Sequence, residues 1–270
     1  MQASKNTNNT KIKILIVGLL LIACVSLFFL LRYIITMRNA EKEVQYIQEK
    51  YIRTPDSTVS DQDTSSPESE TTDGFTIPEL EIDFEALQKE VNPDIYSWIL
   101  IPDTPINYPI VQHPDDNTYY MDYNLDGSKG YPGCIYTEDY NSKDWEDVNT
   151  ILYGHNMRNG SMFASLNSFA NEDFFEEHPY IYIYSPGAVR VYQVFAAYEF
   201  SDLHLMAACD WNDPETVSRF FSMISGYPGN FDKTVELSGD DNYLTLSTCR
   251  RYRNTKRFLV QAVLVAQTSL

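Results

Sequence analysis

A lone thiol near the C-terminal end of the chain, Cys249, closes the run Thr245-Leu246-Ser247-Thr248-Cys249. Eight residues later Arg257 opens a second apolar run, Arg257-Phe258-Leu259-Val260-Gln261-Ala262-Val263-Leu264-Val265. Two strands joined by a short hairpin would bring the thiol and the guanidinium together at one edge of a sheet. A thiol is a weak nucleophile until it loses its proton, so a base or a nearby cation must help it. An arginine keeps its charge throughout and can hydrogen-bond a developing oxyanion or a substrate carbonyl.

Four histidines could supply the base: His113, His155, His178 and His204. His155 has the best context. It follows the strand-like Asn149-Thr150-Ile151-Leu152-Tyr153 and Gly154, and precedes Asn156, which puts the imidazole on a tight loop at a sheet rim. His113 and His178 each precede a proline in turn-like stretches, and His204 lies in an irregular segment. The bland alternatives are a surface histidine, a cysteine acting as a small buried hydrophobe, and a solvated arginine at a strand edge. The polar flank Thr245, Ser247 and Thr248 and the following Arg250-Arg251-Tyr252-Arg253 loop argue against deep burial of the thiol.

Elements must exist to bring these groups together. Strands are expected at 133–137, 149–153, 180–184, 189–200, 234–237, 243–248 and 257–265, with edge strands and turns over the proline-studded 101–112. A helix is expected over 84–91, where Phe84, Leu87 and Val91 form a stripe that ends before Asn92-Pro93. A second runs over 214–225: Asp213 suits its N-cap, Pro214 its first turn, and Val217, Phe220, Phe221 and Ile224 its apolar face. Many short strands with few helices imply a closed or nearly closed β-barrel.

The chain has 270 residues and a formal charge of −18, so phosphate backbones would be repelled and nucleic acid is excluded as a partner class. The apolar run Ile14–Leu31, extended by Tyr33-Ile34-Ile35, is long enough to cross a membrane as a helix over 14–35. Lys5, Lys11 and Lys13 precede it, which places residues 1–13 in the cytoplasm and the remainder outside the cell. Residues 36–52 read as a helical stalk, and 53–74, rich in Ser, Thr, Asp and Glu, as a disordered tether. The folded domain is expected over 75–270. The four cysteines, Cys24, Cys134, Cys209 and Cys249, show no paired spacing. A Cys134–Cys209 bridge stays open as an alternative. No metal-ligand spacing is present, so neither a metal nor a cofactor is expected.

The TLSTC run, the Gly154-His155-Asn156 loop and Arg257 opening the last strand resemble the sortases, cysteine transpeptidases of Gram-positive cell surfaces. The likeness covers about 80–265 and is closest to class B. Asn92–Ile99, Ile106–Gln112 and Asp116–Met121 are similar to the class B N-terminal region, and the helix over 214–225 to the one class B enzymes insert between late strands. The resemblance implies a closed eight-stranded β-barrel with N-terminal helices. It implies Cys249 as nucleophile, His155 as general acid and base, and Arg257 as oxyanion stabiliser. Asn117, Met121 and Ser247 would line the peptide groove. The substrates implied are surface proteins bearing a C-terminal sorting signal, cleaved after threonine through a thioacyl intermediate. The acceptor would be an amine of peptidoglycan or its precursor. Met121 stands where the family commonly has leucine, and Arg250 follows the cysteine where some members carry an acid. Two other readings stay open on sequence alone: a hydrolytic cysteine peptidase, and a non-enzymatic anchored wall-binding module.

Overall fold

The computed structural model describes residues 3–54, 74–250 and 253–270. They divide into two compact units, Met1–Gln45 and Tyr46–Leu270. The first is carried by α1 (Ala3–Tyr51), an uninterrupted helix whose last turns belong to the second unit. Over 12–35 its apolar side chains stand exposed: Leu20, Phe28 and Phe29 are each more than half accessible. From Ile12 the helix is long and apolar enough to cross a membrane. The expected span and stalk therefore lie on one continuous helix, with no proline anywhere in it to break the hydrogen-bond ladder. Apart from Arg53, Thr54 and Gly74, the expected tether falls outside the described residues.

The second unit is built on a closed ring of strands. In chain order these are β3 (Ile95–Leu100), β4 (Asn107–Val111), β5 (Ile135–Tyr136), β6 (Asn149–Tyr153), β7 (Tyr180–Ser185), β8 (Ala188–Ser201), β10 (Tyr243–Arg250) and β11 (Arg253–Ser269). Around the ring the order is β11-β10-β6-β5-β4-β3-β7-β8, and β8 pairs back onto β11 to close it. That is the expected eight-stranded barrel. A short β9 (Gly229–Phe231) pairs with the far half of β8, and β1 (Ile52–Arg53) pairs with β2 (Glu81–Ile82) outside the ring.

Helix α2 (Phe84–Glu90) starts at Asp83, whose carboxylate accepts from the backbone N–H of Ala86 at 2.9 Å. It buries Phe84 and Leu87 in a core that includes Ile47, Ile95, Trp98 and Tyr184. Helix α5 (Pro214–Ile224) begins at Asp213 as expected, although the Asp213 carboxylate accepts from the Thr216 hydroxyl rather than from a backbone N–H. Its apolar face, Val217, Phe220, Phe221 and Ile224, packs on Phe195, Tyr243, Leu259 and Val263. Each such side chain contributes roughly 1.5–3 kcal/mol on burial.

The strand expected at 234–237 is not formed. Asp232 there accepts from both the N–H and the hydroxyl of Thr234, and Asp241 accepts from the N–H of Ser238. These local bonds turn the chain instead of extending it. The strand lies earlier, at β9, where Gly229 permits close approach: a Cβ would stand 2.5 Å from the Ala197 carbonyl oxygen. Four short helical segments among the described residues have no counterpart in the expected elements: α3 (Tyr119–Asp122), 3-10 turns at Ala164–Ala170 and Leu205–Ala207, and α4 (Glu172–Glu177). α4 carries its own start signal in Asn171, whose side chain accepts from the N–H of Phe174.

Candidate active site

The site begins with a register. Strands β10 and β11 pair antiparallel, with Tyr243 opposite Val263, Thr245 opposite Gln261, Ser247 opposite Leu259 and Cys249 opposite Arg257. Alternation puts these four pairs on one face. On the other side of β10, β6 runs parallel to it, with Ser247 beside Tyr153. Parallel strands end at the same rim, so the residues just past β6, Gly154 and His155, emerge beside Thr248 and Cys249.

Three hydrogen bonds stitch that rim. The Gly154 N–H donates to the Ser247 carbonyl at 3.2 Å, the Thr248 hydroxyl to the Gly154 carbonyl at 2.8 Å, and the Asn156 amide to the Cys249 carbonyl at 2.8 Å. Gly154 is confined as well. A Cβ there would stand 2.5 Å from Ile135 Cδ1 and 2.7 Å from Phe163 Cδ2, so the residue before His155 has room only for hydrogen. The His155 ring is held from a third direction, with Nε2 2.7 Å from the Met121 carbonyl. A carbonyl only accepts, so Nε2 carries the proton. The Tyr131 ring meets the imidazole edge-on, with centroids 5.1 Å apart.

The thiol of Cys249 is not deeply buried, as its polar setting indicates, but the flanking hydroxyls are. Thr245, Ser247 and Thr248 are at most 6 % accessible. Their burial is compensated inside the fold. The Thr245 hydroxyl donates to the Asn149 side chain at 2.9 Å and accepts from the Gln261 amide at 3.0 Å, while Gln261 accepts from the Tyr198 hydroxyl at 2.9 Å. Cys249 itself is partly exposed.

His155, Cys249 and Arg257 line one cavity of about 230 Å³. Met121 and Ser247 line it too, as does Thr118, but Asn117 does not. Its amide donates to the Asp139 carboxylate at 2.6 Å and its carbonyl accepts from the Asp139 N–H at 2.7 Å, so Asn117 braces the neighbouring loop. The wall also takes in Tyr136, Glu138, Tyr153 and residues 202–205, which the sequence pattern does not assign to the groove. Burial pushes the Tyr136 and Tyr153 phenols well above their usual range, the Glu138 carboxylate adds to this in both, and the Arg257 charge works against it. Two larger hollows, of about 680 and 790 Å³, contain no cysteine or histidine and offer no comparable chemistry.

All four cysteines are free, so the Cys134–Cys209 bridge is not formed. Burial, aided by the Asp210 charge, pushes the Cys209 thiol up to about 11, leaving it protonated at neutral pH. Among the described residues no group of three or more His, Cys, Asp or Glu is placed to hold a metal ion.

Residues 99–265 match the family model described as the sortase domain. Sortase B of Listeria monocytogenes is 33 % identical over 184 residues, covering 67 % of this chain and 73 % of that protein. A Bacillus anthracis crystal structure described as similar to sortase B superposes with a TM-score of 0.66 at 30 % identity, covering 84 % of this chain and 96 % of that one. A Staphylococcus aureus sortase B–substrate complex gives 0.60 at 30 % identity, covering 67 % and 84 %.

Proposed function

The chain belongs to the sortase family, in its class B, and we propose that it is a membrane-anchored transpeptidase acting through Cys249, His155 and Arg257. The observation that carries this reading is the convergence of the hairpin's thiol and guanidinium with an imidazole from far earlier in the chain on one cavity. Cys249 attacks the carbonyl carbon that follows the threonine side chain of a C-terminal sorting signal. A C–S bond forms and the carbonyl electrons move onto oxygen. Arg257, directly opposite the thiol in the hairpin, supplies charge-assisted hydrogen bonds to that oxyanion.

His155 exchanges the protons. With Nε2–H committed to the Met121 carbonyl, Nδ1 takes the thiol proton as the sulfur attacks and donates it to the leaving amine as the C–N bond breaks. A thioacyl enzyme remains. An amine of peptidoglycan or its precursor then attacks it, giving its proton to His155, and the C–S bond breaks as the new amide forms. Met121 and Ser247 shape the donor groove, with Asn117 bracing the loop beside it. The lysines before the apolar stretch of α1 favour a cytoplasmic N-terminus with the barrel outside the cell, facing nascent wall.

The test is a peptide-library cleavage assay with and without wall-derived amines. The reading expects a new amide product whose yield rises with amine concentration. Hydrolysis alone in the presence of every such amine would replace the transferase with a peptidase.

A further inference from the structure

The cavity holds a second polar pair that the proposed chemistry does not use. His204, on the connection between β8 and α5, places Nε2 2.6 Å from Oε2 of Glu138, on the connection between β5 and β6. Both residues line the cavity.

The two segments differ in how firmly they are held. The Glu138 side chain is 14 % exposed. Its backbone carbonyl accepts from the amide of buried Gln112 at 2.9 Å, and the same amide reaches the Thr137 hydroxyl at 3.0 Å and the Asn141 carbonyl at 2.8 Å. Glu138 is therefore a fixed post. The segment that carries His204 is anchored at Leu205, which is buried and whose carbonyl accepts from the Trp211 indole at 3.3 Å. Before Leu205, Leu203 is 53 % exposed and the His204 side chain 41 %. What ties this stretch to the Glu138 segment is the His204–Glu138 contact, supported by the Tyr140 ring, edge-on at 5.3 Å, and by Tyr153 at 6.4 Å. Every residue from Asp202 to Leu205 faces the cavity, so the position of the segment sets its width.

We propose that His204 and Glu138 form a clasp that fixes the width of the groove leading to Cys249, and so determines how bulky a group can reach the thiol. The contact is a charge-assisted hydrogen bond between wall segments 66 residues apart in sequence. A partly exposed pair of this kind can bias an open–closed balance by about fivefold. The consequence for peptide selection rests on the transpeptidase reading above; the clasp itself does not.

Alkylation of Cys249 tests it without any peptide. Full-length protein in detergent micelles is treated with iodoacetamide and, separately, with a fluorescein maleimide, and modification at Cys249 is followed by peptide mass. The readout is the ratio of the bulky to the small reagent's rate. His204→Ala, His204→Phe and Glu138→Ala should each raise that ratio about fivefold. His204→Phe keeps a ring between Tyr140 and Tyr153 and carries the test should the alanine variant fail to fold. His204→Arg, which can still reach the carboxylate, should return the ratio to within about twofold of wild type. The double variant His204→Phe/Glu138→Ala should show no more than either single change. A wild-type ratio in His204→Phe, or additive effects in the double variant, would overturn the clasp while leaving the transpeptidase reading untouched.

Discussion

Cys249 and Arg257 form the last register pair of the β10–β11 hairpin before the ladder slips at Arg250. Residues directly opposite in such a ladder hold their Cβ atoms about 4.5–5.5 Å apart. The hairpin therefore fixes the thiol and the root of the arginine side chain without help from any loop. An arginine extends well beyond that separation, so its guanidinium can reach an oxygen on a carbon bonded to the sulfur.

That pairing predicts an asymmetric response to substitution. Arg257→Ala should lower kcat/KM by about 10²–10³-fold, the usual cost of one oxyanion donor. Arg257→Lys should recover less than about tenfold of it, because the lysine keeps charge but loses the planar fork. Steady-state peptide cleavage measures both. Normal activity in Arg257→Ala would move the role to Arg250, Arg251 or Arg253.

Asn156 ties the histidine loop to the thiol strand through the Cys249 carbonyl. Asn156→Ala should lower kcat about tenfold, since small displacements of catalytic groups are costly. Its melting temperature should fall only slightly, because a single hydrogen bond is worth about 1 kcal/mol net. A large loss of stability with normal kcat per folded molecule would make Asn156 a structural residue only.

Gly154→Ala should be expensive in a different way. The added methyl meets Ile135 and Phe163 at 2.5 and 2.7 Å. Overpacking of this kind costs about 1–3 kcal/mol. Denaturant unfolding should show that loss, and the displaced His155 should lower turnover in the fraction that remains folded. Wild-type stability would show that the two side chains move aside freely.

Cys209 supplies a pH test. Its thiol is held up to about 11, burial first and the Asp210 charge second. The thiolate is the reactive form and exists above the pKa, so site-resolved alkylation at Cys209 should climb as pH rises through about 11. A midpoint near that of a free thiol, about 8.5, would mean the site is more open than its burial indicates.

Much of this site could be read in the chain because its parts are local. Cys249 and Arg257 sit on two strands of one hairpin, and Asn149–Tyr153 forms the strand its pattern indicates. Asp213, Pro214 and the apolar stripe mark α5 by short-range rules. What stayed hidden depends on distant partners. The burial of Thr245 rests on Asn149 and Gln261, which lie 96 and 16 positions away and receive its hydroxyl. Asn117 reads as a groove residue until Asp139, 22 positions away, is seen to occupy both ends of its amide. His204 lies in a segment with no periodicity, and only the closed ring brings it to Glu138. The strand expected at 234–237 failed for a local reason: Asp232 and Asp241 bond their neighbours' N–H groups and turn the chain.

The most direct measurement is the intact mass of the enzyme during reaction with a sorting-peptide library. The account predicts a gain equal to the acyl half of a cleaved peptide, localised to Cys249, discharged by added amine, absent from Cys249→Ala, and barely formed in His155→Ala. Peptide cleavage at the wild-type rate by Cys249→Ala, or cleavage with no acyl group ever held on Cys249, would contradict it.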